Sequence, residues 1–306
     1  MTRHRAVAGG ALIVVAASVA AWSLAYPQGS LTATLVRAVA DCAAVTTLGL
    51  AVVPMLDVDR YRGELIGKAT VPLAVAGAVW LLAELTRQVV SAAQAAAVPV
   101  TRLGVQTAVD FAVHTAAGRA GLFSLVAAAV CLAAVAAPRT VPMNVVVAGV
   151  AAVGVAARPL TGHFAESALG GLAVALHTVA AALWCGALAG LVLTVEHRGQ
   201  WARVLPRFSQ LSLICVATLL AGGVVGAAVT LDSPAALYAT GYGRLLSAKI
   251  VVTAVLIVLA RRNRTMWLPA ARTHRATAVV SRSRSRTELA IMAVALALAA
   301  ALAVTG

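Results

Sequence analysis

Long apolar runs recur along the whole chain, separated by shorter polar segments rich in arginine. Nine of them reach about 17–25 residues, the length that a helix needs to cross the hydrocarbon core of a bilayer. Backbone groups find no water in that core, so each run is predicted to be helical. The pattern predicts an all-α, polytopic transmembrane helical bundle of about nine helices. The runs cover approximately residues 6–26, 31–53, 66–90, 115–137, 141–157, 167–195, 208–230, 243–260 and 289–304.

The predicted helices group into two domains. Residues 1–158 hold the first five helices and residues 159–306 hold the last four. Between the third and fourth helices, residues 91–114 form the one long connection on the outer side. This connection is rich in alanine, and we expect it either to lie along the membrane interface or to dip into the membrane.

The first apolar run also has features of a secretory signal peptide. Arg3 and Arg5 precede it, and Ser18-Val19-Ala20 resembles a small-residue cleavage site. The run is longer than a typical signal core, which favours a retained helix. Removing it would leave the orientation of the other helices unchanged.

The composition agrees with a membrane environment. Hydrophobic residues make up 61% of the 306 residues and charged residues 11%, whereas a soluble domain has about 45–50% and about 25%. Aromatic residues are only 4%, too few for the aromatic girdles of a membrane β-barrel. The lipid bilayer is therefore the predicted surrounding of this chain.

The net charge of +14 is explained by topology. If the N-terminus is cytoplasmic, most of the 24 Lys and Arg residues fall in cytoplasmic segments, above all residues 261–286. The positive-inside rule then predicts an N-in and C-out protein of the bacterial cytoplasmic (inner) membrane, with no nucleic-acid partner. Seven basic residues are expected near or beyond the outer ends: Arg37, Arg87, Arg102, Arg119, Arg158, Arg244 and Lys249.

Sequence motifs of several enzyme classes are absent. The chain has no Walker-type loop and no aspartyl-phosphate motif, which disfavours ATP-driven transport by this chain alone. It also lacks a nucleophile elbow and a His-Glu-x-x-His helix. We therefore expect no catalytic residues and no enzyme, with redox activity as the open alternative.

Histidines supply the candidate metal ligands. His114, His163 and His177 fall on the outer side or in the outer half of the membrane, where ionisable groups are costly and commonly functional. His163 and Glu166 would be one helical turn apart. Imidazole suits copper, zinc, iron and nickel, so these residues predict a metal site. The alternative is that His177 is hydrogen-bonded to a neighbouring helix.

Two further residues extend this candidate site inward. On the helix of His177, Trp184 shares the histidine's face and Cys185 lies beside that face. A thiolate adds a preference for Cu(I), so Cys185 is a candidate deeper ligand and Trp184 a candidate pathway residue. The other cysteines, Cys42, Cys131 and Cys215, are expected to be small buried hydrophobes.

The spacing of His163 and His177 leaves two questions open. Fourteen residues on one helix also separate paired haem ligands of cytochromes b, so one haem is an alternative to copper. On a continuous helix the two histidines would be ~21 Å apart and could not share one ion. Either Gly170-Gly171 breaks the helix, or the histidines are two separate stations.

The other intramembrane charges are candidates for structural or pathway-lining roles. Arg37 and Asp41 are four residues apart, as are Asp110 and His114, so each pair can meet on one helix face. Arg37 with Asp41 is expected to be a structural pair, and Arg87 can neutralise Glu84 one turn away. A role in cation or proton passage is the alternative. Arg244 and Lys249 complete this group.

Two glycine pairs are predicted to have a structural role in helix packing. Gly186 with Gly190, and Gly222 with Gly226, form small-x-x-x-small faces. Such faces allow two membrane helices to approach each other closely.

A series of short motifs runs in order from about Gly162 to Leu302. The chain resembles the copper-resistance D (CopD) family of bacterial inner-membrane proteins in these pieces. Its N-terminal half looks like the upstream helices of longer actinobacterial members, some of which continue into a cytochrome oxidase assembly domain; this chain is expected to stop at Gly306 without it. The matching pieces are His163, His177, Ala180-Ala181-Ala182-Leu183-Trp184-Cys185-Gly186, Arg207-Phe208-Ser209, Gly222-Gly223, Tyr242-Gly243-Arg244-Leu245-Leu246, Lys249, Asn263-Arg264, Arg286 and Glu288.

The resemblance implies copper handling at the cytoplasmic membrane, commonly described as uptake from the outer side. The family's histidines fall on His163 and His177. Cys185 departs from the aliphatic residue expected there, and the few methionines do not form the Met-rich entry of copper channels. The alternatives are a copper-delivery factor for cytochrome oxidase assembly and a haem or copper redox protein. Partners would be copper and, in the delivery case, a copper chaperone or the oxidase assembly machinery.

Overall fold

A computed structural model describes residues 3–161, 168–230 and 236–305. Within these ranges the chain forms helices and no strand. Short 3₁₀ turns occupy Val53–Leu56, Val100–Arg102 and Pro159–Thr161, and Asn263–Trp267 is a π-helical segment. The α-helices are α1 Arg3–Ala25, α2 Leu31–Val52, α3 Asp59–Ala95, α4 Val105–His114, α5 Ala116–Ala133, α6 Val141–Ala157, α7 Ala168–Thr194, α8 Arg198–Thr230, α9 Ala236–Ala239, α10 Gly241–Arg262, α11 Leu268–Arg272 and α12 Ala278–Thr305.

Eight of the described helices are long and apolar enough to cross a membrane. A ninth, α6, is apolar but has only 17 residues, as its apolar run predicts. The predicted fold class, a polytopic helical bundle, is therefore confirmed. The spans are Ala8–Ala25, Leu31–Leu56, Asp59–Ala95, Ala116–Ala133, Gly170–Thr194, Arg198–Val225, Gly241–Arg272 and Ala278–Thr305.

Three helices extend well beyond their predicted apolar runs. α3 begins at Asp59 rather than near residue 66, α8 begins at Arg198, and α12 begins at Ala278. The added turns carry charged side chains, which interrupt an apolar run but leave the helical hydrogen bonds intact. The apolar run over residues 289–304 is therefore much shorter than α12, whereas the run over 243–260 is only two residues short of α10 at each end.

The long predicted connection over residues 91–114 is mostly helical. Its first part continues α3 to Ala95, and its last part is α4. On α4, the exposed residues Val105, Val109 and Val113 recur every four positions. Gln106 and Asp110 lie on another face, joined by a 3.0 Å hydrogen bond from Nε2 to Oδ1. An apolar stripe beside a polar one is typical of a helix that lies in the membrane interface.

The chain divides into two compact units. One contains Met1–Cys42, Glu196–Pro206 and Val229–Gly306, and the other contains Ala43–Val195 and Arg207–Ala228.

Arginines close the helix ends of the first unit. Arg244 donates from Nε to the carbonyl oxygen of Leu24 at 2.9 Å and from Nη2 to that of Tyr26 at 3.0 Å. Arg37 donates from Nη1 to the carbonyl of Ala303 at 3.1 Å. The last carbonyls of a helix have no partner within the helix, so these guanidinium groups satisfy acceptors at the ends of α1 and α12.

Glycines set the closest helix contact of the second unit. A Cβ placed on Gly186 of α7 would lie 2.2 Å from the carbonyl oxygen of Val45 on α2. A Cβ on Gly49 would lie 1.7 Å from the carbonyl oxygen of Gly186. One turn on, Gly190 faces Val53. The predicted role of Gly186 and Gly190 in close packing is confirmed.

Gly186→Ala is expected to destabilise the fold by about 1–3 kcal/mol, because the added methyl group meets backbone and the two helices must separate. The matched control is Gly149→Ala on α6, where nothing lies within 4 Å of the new Cβ. Alanine is the better helix former there, by up to ~1 kcal/mol. Thermal unfolding in detergent measures both. Equal melting temperatures for the two variants would contradict the packing argument.

Candidate metal site and buried charges

His177 lies within α7 and faces α8. It is the tenth residue of the helix, about 13–14 Å from the first, and its side chain is half-buried. Its Nδ1 is 3.1 Å from the carbonyl oxygen of Leu219. A carbonyl only accepts, so Nδ1–H is the donor of this hydrogen bond. The predicted alternative, a hydrogen bond to a neighbouring helix, is therefore present.

Glycines of α8 make room for this ring. A Cβ on Gly222 would lie 3.0 Å from the Cβ of His177, and a Cβ on Gly223 would lie 3.8 Å from its Cε1. Hydrogen-bonding one ring nitrogen to a carbonyl is also how proteins orient metal-binding histidines. The arrangement of His177 thus suits a structural contact and a metal ligand equally well.

Trp184 and Cys185 follow on the same helix and are both buried. The indole Nε1 of Trp184 has no hydrogen-bond partner among the described residues. Cys185 directly precedes Gly186, at the close contact with α2. On a continuous helix His177 and Cys185 are ~12 Å apart along the axis, so they would be successive stations rather than ligands of one ion.

α7 is helical through Gly170 and Gly171. The break at this glycine pair, one of the two alternatives for bringing His163 near His177, is therefore not what the structure has. Glycine lowers helix propensity by only about 1 kcal/mol, which a packed membrane helix tolerates. His163 and Glu166 themselves lie outside the described residues.

His114 ends α4, and its side chain is 74% exposed. Its Nδ1 is 3.9 Å from Asp110 Oδ1, as the spacing of four predicts. Among residues 3–161, 168–230 and 236–305, no group of three or more His, Cys, Asp and Glu side chains is placed to hold a metal ion. A joint site of His114 with the other predicted ligands stays a prediction.

Glu84 lies in a buried cluster of charged side chains. Its side chain is 2% exposed. Oε1 accepts from Arg87 Nη1 at 3.4 Å and from Ser124 Oγ at 3.1 Å, and Oε2 pairs with Arg158 Nη2. The spacing predicts Arg87, whereas Ser124 of α5 and Arg158, which directly follows α6, have no local sequence signal. Three helices therefore meet at one carboxylate.

The remaining predicted charges lie in the first unit. Arg37 Nε is 3.7 Å from Asp41 Oδ2, so the predicted pair forms, and Arg37 also reaches the end of α12. Lys249 is half-buried on α10, five residues after Arg244. The contacts of Arg37 and Arg244 are with helix ends, which favours the structural reading of these two residues.

A second buried carboxylate was not singled out as a site residue from the sequence. Glu288 of α12 is 3% exposed, and its Oε2 accepts from Asn263 Nδ2 at 2.7 Å. Close by, Trp267 Nε1 donates to Ser281 Oγ at 3.0 Å. The sequence feature that could have indicated Glu288 is that it is a single acidic residue in a helix whose other residues are mostly basic or apolar.

Together, the apolar helices, the carbonyl-capping arginines and the buried charges define a polytopic α-helical membrane protein. The chain matches two family models of copper-resistance D proteins. The family model "Copper resistance protein D" matches residues 202–302, and "Copper resistance protein D-like, N-terminal domain" matches residues 26–173. The resemblance predicted from the sequence is confirmed, and the family implies copper resistance or copper handling.

The chain is also similar to inner membrane protein YebZ of Escherichia coli strain K12. The two are 31% identical over 103 residues, which are 32% of this chain and 35% of that protein. The chain thus spans about a third of the length of this curated relative. No solved structure matches. The apolar helices and this relative support the predicted location, a multi-pass protein of the bacterial cytoplasmic membrane.

Proposed function

We propose that this chain transports copper ions into the cell across the cytoplasmic membrane, in the N-in and C-out orientation. The observation that carries the proposal is the setting of His177. It is an ionisable ring inside an apolar membrane helix, held by a carbonyl at Nδ1 and given space by two glycines. Polar groups in this position are commonly part of an ion pathway.

In this proposal copper is captured on the outer side by His163, with Glu166 or His114 completing the site. It passes to Nε2 of His177 and then inward beside Trp184 and Cys185. Imidazole and thiolate are ligands that copper prefers. Successive stations, rather than one closed cage, suit an ion that must leave each site as readily as it enters.

The test is copper binding by the purified protein and its variants. His177→Ala removes the intramembrane ligand and is expected to weaken copper binding at least ~10-fold, as even second-shell changes commonly do. His163→Ala is expected to do the same at the outer station. Metal analysis and competition with a copper chelator provide the measurement.

The matched control is His197→Ala, at an exposed position outside the predicted pathway, which is expected to leave copper binding unchanged. Unchanged binding in both His163→Ala and His177→Ala would remove the proposed site. A haem absorption band in the purified protein would contradict the copper carrier and favour a redox protein.

A further inference from the structure

The two buried carboxylates of the described helices differ in their surroundings. Glu84 is bracketed by the guanidinium groups of Arg87 and Arg158. Glu288 is as deeply buried, but the side chain that donates to its carboxylate is the neutral amide of Asn263. In the part of the chain that the structure describes, no Lys, Arg or His forms an ion pair with Glu288. Buried charges are normally paired with an opposite charge, so the carboxylate of Glu288 requires a cation.

A buried hydroxyl lies beside this carboxylate on α12. Ser281, Ser285 and Glu288 share one face, since they are four and three residues apart. The outer two bond to Trp267 and Asn263, so this face is turned toward the π-helical segment. Ser285 between them is fully buried, and its Oγ has no hydrogen-bond partner within the described ranges. A buried hydroxyl without a partner is rare in proteins. Beside a carboxylate, it indicates a place where a further hydrogen-bonding group can bind.

The groups around Glu288 determine which cation it can bind. α1, which packs against α12, has no ionisable residue from Ala6 to Ala25. α10, the segment after it and α12 carry arginines near this level. The start of α8 also packs here, since the rings of Trp201 and Trp267 are 5.9 Å apart, and it brings Arg198 and Arg203, with Glu196 and His197 just before it. A metal ion needs several ligand oxygens and would find one carboxylate here, whereas a proton needs one oxygen alone. The arginines of α10, the segment after it and α12 are Arg261, Arg262, Arg264, Arg282, Arg284 and Arg286.

We propose that Glu288 is a proton-exchange site at the arginine-rich end of the bundle. The carboxyl releases its proton to water as the carboxylate forms, and it regains a proton from water in the reverse step. Asn263 donates to Oε2 in both states and so fixes the carboxyl plane, while Ser285 Oγ lies on the same face. The chain has no nucleotide-binding motif, and a proton carried here would supply the energy coupling for copper transport, a role that rests on the proposed function.

The proton site is tested on the full-length protein in detergent with dicyclohexylcarbodiimide. This reagent modifies carboxyl groups that are protonated in apolar surroundings. Peptide mapping by mass spectrometry is expected to find the adduct on Glu288 in mildly acidic buffer and its loss in alkaline buffer. Glu84 in the same sample is the internal control, and its ion pairs should leave it unlabelled. Glu288→Gln is expected to lose the adduct.

Two results would overturn the proton site. One is an unlabelled Glu288 at every pH in wild-type protein, a measurement that does not depend on the folding of a variant. The other is labelling that does not depend on pH but is blocked by sodium or copper salt. That result would indicate that Glu288 binds a metal ion instead of a proton. Ser285→Ala is expected to shift the pH at which half of Glu288 is labelled.

The coupling is tested separately in proteoliposomes that contain a pH-sensitive dye. Copper entry is expected to move protons in wild-type vesicles and not in Glu288→Gln vesicles. If wild-type vesicles take up no copper while Glu288 is labelled as expected, the transport function fails and the proton site stands. If copper enters both kinds of vesicle with the same proton movement, the coupling through Glu288 is wrong.

Discussion

Glu84→Ala is expected to lower the free energy of unfolding by about 3–5 kcal/mol, because it leaves the guanidinium groups of Arg87 and Arg158 buried without their anion. The carboxylate joins α3, α5 and α6, so its loss also removes the bond from Ser124 Oγ. Unfolding of the purified protein by sodium dodecyl sulfate, followed by circular dichroism, measures the effect.

The matched control is Glu64→Ala on the same helix. Glu64 pairs with Lys68 at 3.0 Å, but its side chain is 44% exposed, and exposed ion pairs contribute only about 0–1 kcal/mol. Replacing Glu84, Arg87 and Arg158 together by leucine should recover much of the stability, since no buried charge is then left unpaired. A cost for Glu84→Ala no larger than that for Glu64→Ala would show that the cluster does not hold the helices together.

Cells that lack this chain are expected to lose most of their copper accumulation when external copper is scarce. Cytochrome oxidase activity should fall with it, because an importer supplies all copper enzymes. A gene encoding His177→Ala should fail to restore either quantity, and one encoding His197→Ala should restore both. Total cell copper and oxidase activity are measured in the same cultures.

The same cultures distinguish import from copper delivery. A delivery factor that hands copper to cytochrome oxidase lowers oxidase activity while total cell copper hardly changes. That outcome would replace the transport proposal with the assembly alternative. Restoration of both quantities by His177→Ala would exclude His177 from either role.

The helices could be predicted because lipid permits few spanning structures. An apolar run of sufficient length in a bilayer is a helix, and the run over 141–157 coincides with α6. The first turns of the helices that begin at Asp59, Arg198 and Ala278 were not predicted, because they carry charged side chains. Hydropathy indicates which residues can lie in the membrane, and not where the helical hydrogen bonds begin or end.

The contacts at the candidate site were predictable only where sequence spacing determines them. Arg37 with Asp41, and Glu84 with Arg87, lie within one turn of a helix and therefore meet. Arg158 approaches Glu84 from 74 residues away, and such a contact depends on which helices pack together. The partner of His177 is a backbone carbonyl, and every residue has one, so no residue type indicates Leu219 in advance.

The π-helical segment also has an evolutionary consequence. Asn263, Trp267 and Ala271 are all buried, although positions spaced by four drift by about 80° over eight residues of a regular α-helix. The wider turn, in which Leu268 N–H bonds to the carbonyl of Asn263, compensates for that drift. Relatives with one residue fewer between the Asn and Trp positions can therefore keep both side chains on one face with a regular helix. An insertion or deletion here should be tolerated in the family wherever the helix changes its winding to match.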